Sequence, residues 1–88
     1  MLTIVWENQF KKDFSTATKR KKDLNKLAFI INELQHQRSL PPKNRNHKLK
    51  GNYAHSWECH IEPDWLLIYE VTKTELILIR TGSHSDLF

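Results

Sequence analysis

The sequence predicts an α+β fold: an N-terminal strand, two helices, then a three-stranded antiparallel meander, with both helices packed on one face of the sheet. Two patterns predict it. Between residues 8 and 37 the apolar residues recur at helical spacing, and between 56 and 81 they alternate as strands do. Leu40-Pro41-Pro42 separates the two regimes, because a proline disfavours helix at the residue before it.

Leu2 to Trp6 is β-branched and aromatic, a strand. Asn8 to Lys19 reads as a helix whose Phe10, Phe14 and Ala17 share one face, with lysines on the others. The run Lys19-Arg-Lys-Lys22 sits at its end and in the turn, where cations complement a helix C-terminus; as a nuclear-localisation signal it is weak. A second helix spans Asp23 to Gln37, with Asp23 as N-cap and Leu24, Leu27, Ala28, Ile31 and Leu34 as its buried stripe. Lys43 to Ala54 is a polar loop containing His47-Lys-Leu-Lys50-Gly51.

The meander comprises Ser56–Glu62, Trp65–Val71 and Glu75–Thr81, turning at Pro63-Asp64 and Lys73-Thr74. Neither turn has the glycine of a primed hairpin. Two-residue loops place residue 60 opposite 67, 58 opposite 69 and 67 opposite 80. Alternation then gives Trp57, Cys59, Ile61, Leu66, Ile68, Ile77 and Ile79 to the helix side. Glu58, His60, Trp65, Leu67, Tyr69, Leu78 and Arg80 take the opposite face. A slip of one residue exchanges the faces of a strand.

At 88 residues and 39% apolar the chain predicts one domain, residues 1–88, around a single modest core. The lone Cys59 forms no internal disulfide, which suits a reducing, intracellular compartment. The opening apolar run is too short for a signal peptide, and no segment approaches the roughly 20 apolar residues of a membrane span. A cytoplasmic protein is expected. Residues 1–50 hold 12 Lys/Arg against 4 Asp/Glu, and residues 51–88 hold 2 against 6. The basic half suits a polyanion or an acidic protein partner, or is simply a solvated helical surface.

The C-terminal stretch carries the chemistry. Histidine takes both protonation states near neutrality and so serves as acid or base; His60 and His84 are the candidates. Arg80 can hold a phosphate oxygen through paired N–H groups, and Trp65 or Phe88 can stack a base. Each has a structural alternative: a surface histidine, Asp64 as turn chemistry, Trp65 as core, Arg80 paired with an acid such as Glu58. His36 and His55 read as structural. No His-x-x-x-His or Cys-x-x-Cys spacing supports a metal site, and no cofactor is expected. Thr81-Gly82-Ser83 turns a tail without its own secondary-structure signal back toward the sheet, Gly82 supplying backbone freedom and returning His84 to the His60 face.

The strings Asn46-His47-Lys-Leu-Lys-Gly51, Cys59-His60-Ile-Glu-Pro-Asp64-Trp65-Leu-Leu-Ile-Tyr69 and Arg80-Thr-Gly-Ser-His84-Ser-Asp-Leu-Phe88 resemble those of YafQ-type toxins. These are small endoribonucleases of the RelE/ParE superfamily, found in bacterial type II toxin–antitoxin systems. The strand–helix–helix–meander order agrees with a RelE-like fold. The resemblance implies a ribosome-dependent mRNA interferase that cuts messages in the decoding site. It also implies a cognate antitoxin that wraps an acidic or amphipathic segment around the toxin, in a higher-order complex formed through antitoxin dimerisation. The implied active set is His47, His60, Asp64, Trp65, His84 and Phe88, with Arg80 at the basic position for phosphate. Glu58, Lys48 and Lys50 join Trp65 and Phe88 as substrate-binding candidates. The expected reaction is metal-independent: Asp64 or His60 assists removal of the 2′-hydroxyl proton and His84 protonates the leaving oxygen. Arg80 and His47 stabilise the charge on phosphorus. The competing reading is a ParE-like gyrase inhibitor that cuts nothing; a third is an inert RNA-binding module.

Overall fold

Five strands form one mixed sheet in the order β1-β5-β4-β3-β2, seen in a computed structural model that describes residues 1–88. The elements are β1 (Thr3–Trp6), α1 (Asn8–Lys19), α2 (Leu24–Gln35), β2 (His47–Lys48), β3 (Trp57–Glu62), β4 (Trp65–Val71), β5 (Glu75–Gly82) and a terminal turn of helix, α3 (His84–Leu87). Short 3-10 turns at Pro42–Asn44 and Gly51–Tyr53 flank β2. The α+β class and the order of its predicted elements stand. No helix is long and apolar enough to cross a membrane.

Each helix forms for local reasons. Phe10 and Ala17 of α1 are buried, and Trp6 packs edge-on against Phe10 and Phe14, with centroids 5.0 Å away in each case. The Asp23 side chain accepts from the Asn25 N–H and caps α2 as expected. The buried stripe of α2 is Leu27, Ile30 and Leu34, flanked by partly buried Leu24 and Ile31. Ala28 is exposed, so that member of the predicted stripe is corrected. The helix also stops at Gln35, well before the prolines. Gln37 takes a left-handed conformation (φ 57°), so that the Arg38 N–H reaches the Glu33 carbonyl at 2.9 Å and closes the helix end.

The sheet corrects the predicted faces. Residue 60 pairs with 66 and 58 with 68, because Ile61 bulges before the turn. Residue 67 pairs with 81, and a second irregularity at Ile79 shifts Leu78 opposite Tyr69. Each bulge adds a residue to one strand and reverses the phase beyond it. The helix-side core therefore contains Trp65, Leu67, Tyr69, Leu76 and Leu78 together with Cys59 and Ile61. Leu66 and Ile68 lie on the other face, where they pack with Leu87, Ile79, Leu49 and Tyr53. That second cluster seats the tail. The loop between α2 and β3 contributes the edge strand β2, with His47 opposite Glu58, and β1 runs parallel to β5.

Candidate active site

Glu58 and His60 alternate onto the face away from the helices, as β3 was expected to present them. Pairing of β2 with β3 brings His47 beside them. The Glu58 side chain is only 7% exposed, and its Oε1 lies 3.3 Å from His47 Nε2 and 3.7 Å from His60 Nε2. A buried carboxylate requires such partners, since an unpaired one is costly. His47 Nδ1 lies 2.6 Å from the Arg45 carbonyl. Both nitrogens of that ring face oxygen atoms.

His84 comes from the far end of the chain. Ser83 caps α3 with a reciprocal capping box to Asp86. Asp64, in the β3–β4 turn, accepts from the His84 backbone N–H at 3.0 Å and lies 2.6 Å from its Nδ1. These hydrogen bonds, the backbone one foremost, hold the Asp64 carboxyl below its ordinary range. With Nδ1–H committed to Asp64, Nε2 is the nitrogen left for chemistry. The three rings form a row: centroids of His47 and His60 are 6.3 Å apart, those of His60 and His84 5.6 Å.

Arg80 shares the Ile68 register on this face, but its acid partner is Asp13 of α1, not Glu58. Nε lies 2.7 Å from Asp13 Oδ2 and Nη2 3.2 Å from Oδ1, while the Thr81 N–H also donates to Asp13 at 3.2 Å. Phe88 is 66% exposed and sits edge-on to Tyr53, with centroids 6.1 Å apart. Lys50 is exposed beside the Gly51–Tyr53 turn.

Two predicted binding residues are displaced. Trp65 is 1% exposed, a core residue on the helix side, whose indole N–H donates to Thr81 Oγ1 at 3.0 Å. It offers no open face for a base; the bulge at Ile61 reversed its phase. Lys48 pairs with Trp57 and alternates away from the face that presents His47 and Glu58. Cys59 is buried, and burial pushes its thiol up to about 12, so it is no nucleophile. No three His, Cys, Asp or Glu side chains are placed to hold a metal ion. A groove of about 920 Å³ adjoins the row; Arg20, Lys22, Lys26, Lys43 and Arg45 line it together with His60 and Asp64.

The sequence reading missed Tyr53, the clamp on Arg80 from Asp13, and the role of Glu58 between two histidines. Only the last had a legible signal: Glu58 and His60, two apart on a strand, must share a face. Asn44 was also missed. It is buried, and its Nδ2 donates to the His60 carbonyl at 2.7 Å, tying the loop to β3.

Fold and site define a small α+β protein with a basic helical layer and a surface cluster of three imidazoles and two carboxylates. The sequence model of the family described as "Bacterial toxin of type II toxin-antitoxin system, YafQ" matches residues 2–88, and the chain belongs to that family. It is 40% identical over 86 residues to the mRNA interferase toxin YafQ of Escherichia coli K12, covering 97% of this chain and 94% of that protein. Its fold is similar to that of a chain in the crystal structure of the E. coli DinJ-YafQ toxin-antitoxin complex, with TM-score 0.91, 39% identity, and 99% and 97% of the two chains covered. It is similar also to a metal-bound toxin from Helicobacter pylori, with TM-score 0.94, 41% identity and full coverage of both chains. The side chains present here do not form a ligand set for such an ion.

Proposed function

We propose that this chain is the toxin of a type II toxin–antitoxin pair and an mRNA interferase that cleaves RNA by acid–base catalysis through attack of the 2′-hydroxyl. The observation that carries this reading is the row of three imidazoles set against two carboxylates: Glu58 beside His47 and His60, and Asp64 on His84. His60 accepts the 2′-hydroxyl proton. His84, oriented through Nδ1 by Asp64, donates from Nε2 to the departing 5′-oxygen. His47 and Arg80 stabilise the charge on phosphorus, and Phe88 with Tyr53 stacks a base. Asp64 thus serves as orienting group, and Trp65 holds the scaffold beneath. Lys50 remains a candidate phosphate contact.

Arg80 is already engaged twice by Asp13, so the site by itself aligns its substrate weakly. That supports ribosome dependence, with the decoding site supplying the missing alignment, and with it a cytoplasmic site of action. The basic helices suit an acidic segment of a cognate antitoxin, which assembles a higher-order complex by its own dimerisation. Gyrase binding leaves the histidine row without a purpose.

The test incubates purified protein with end-labelled message, with and without ribosomes, beside His84→Ala. Loss of a general acid should cost about 10²–10⁴ in rate. The expected product ends in a cyclic or open 3′-phosphate. A 3′-hydroxyl end, or full activity of His84→Ala, would refute the mechanism.

A further inference from the structure

We infer that Arg20 and Asp86 form a latch that positions His84, so that the last residue of the α1 turn controls the geometry of a catalytic ring 64 residues later. The inference rests on the reading of His84 as general acid.

A helix of one turn has too few hydrogen bonds to persist by itself. α3 has four residues, so what orients His84 must lie outside it. Leu87 seats one side of the turn against Leu66 and Ile68. The other side is held by Arg20, whose Nη1 lies 2.7 Å from Asp86 Oδ2 and Nη2 3.4 Å from Oδ1. The same carboxylate accepts from the Ser83 N–H at 2.9 Å. Asp86 therefore joins α1 to the residue immediately before His84.

Gly82 shows how closely the latch is fitted. A Cβ there would meet Asp86 Cβ and Oδ2 at 3.0 Å each, tighter than ordinary contact. The glycine answers this close approach and not a need for backbone freedom, because its φ is not in the left-handed region. The Asp86 carboxyl is held far below the usual carboxylate range, by the Arg20 hydrogen bond first. From Asp86 the constraint passes through Ser83 to the His84 backbone, whose N–H meets Asp64. Arg20 touches none of the site's histidines; it is a positioning residue.

Arg20 is half exposed, so Arg20→Ala should fold. In ribosome-programmed cleavage, Arg20→Ala and Asp86→Asn should each lower kcat about tenfold, as a small misplacement of a catalytic group does, with KM unchanged. Arg20→Lys should recover most of that loss. The Arg20→Ala/Asp86→Asn double variant should be no slower than either single one. Gly82→Ala, which presses on Asp86 from the other side, should show the same loss of kcat. Wild-type kcat in Arg20→Ala while His84→Ala is inactive would overturn the latch and leave the catalytic reading standing. A raised KM with kcat unchanged would instead make Arg20 an RNA contact and overturn it equally. Full activity of His84→Ala would remove the catalytic reading, and the latch with it.

Discussion

Trp65 illustrates how burial decides a residue's work. An indole is large enough to serve either as core or as a platform for a base. Here its ring lies beneath Lys22, whose Nζ is 5.8 Å from the centroid, and its N–H satisfies Thr81 Oγ1, which itself donates to the Leu66 carbonyl at 2.6 Å. Trp65→Phe should therefore cost stability, about 1–3 kcal/mol for the lost volume and the lost hydrogen bond to Thr81, with kcat for cleavage essentially unchanged. Urea unfolding alongside the cleavage assay checks this, and a large fall in kcat without loss of stability would return Trp65 to the substrate. Tyr69 tells the same story. Its hydroxyl donates to Asn46 Oδ1 at 2.6 Å, and burial pushes its pKa up to about 12, so it remains a neutral structural phenol.

At the scale of elements, both helices end alike. Lys21 and Gln37 adopt left-handed conformations, at φ 58° and 57°, and in each case the next residue's N–H reaches back into the last turn, Lys22 to Ala17 and Arg38 to Glu33. Glycine usually occupies that position, and a side chain there costs about 1–2 kcal/mol. Gln37→Gly should stabilise the protein, by about 1 kcal/mol or less once the flexibility of glycine in the unfolded chain is offset. Thermal melting measures it; a lower Tm would contradict the account. Without a glycine to mark the stop, the helix read two residues too long. The short α3 was legible in principle, since Ser83-x-x-Asp86 is a capping-box spacing. β2 was not. Two polar residues become a strand only because the β3 edge offers them partners.

For the whole molecule, the contacts between basic helices and acidic C-terminal half set the response to pH. Lys22 and Lys26 reach Glu62 from α2 and its approach, at 3.9 and 3.0 Å, and Arg20 reaches Asp86. Asp86 and Asp64 both have carboxyls held below their ordinary range in the fold. A group depressed in this way contributes stability that is fully present above its unfolded value, about pH 4, and is lost as pH falls through the folded one. Melting temperature should thus fall on acidification below about pH 5, and Asp86→Asn should flatten that decline while lowering Tm at neutrality. Equal slopes for variant and parent would show that the Asp86 contacts contribute nothing to folding.

Local pattern alone determined both helices, the N-cap at Asp23, the extent of β4, the sharing of one face by Glu58 and His60, and the motif strings that point to the YafQ-type toxins. Those features depend on neighbours a few positions apart, so periodicity and residue type suffice. Tertiary structure alone decided the faces of Trp65, Leu66, Leu67 and Ile68, because two bulges shift register by amounts no alternation pattern encodes. It also chose Asp13 as partner of Arg80 and Arg20 as partner of Asp86, across 67 and 66 positions of chain. Such pairs exist only once α1 has crossed beside β5, and charge is too common along this chain to announce them beforehand.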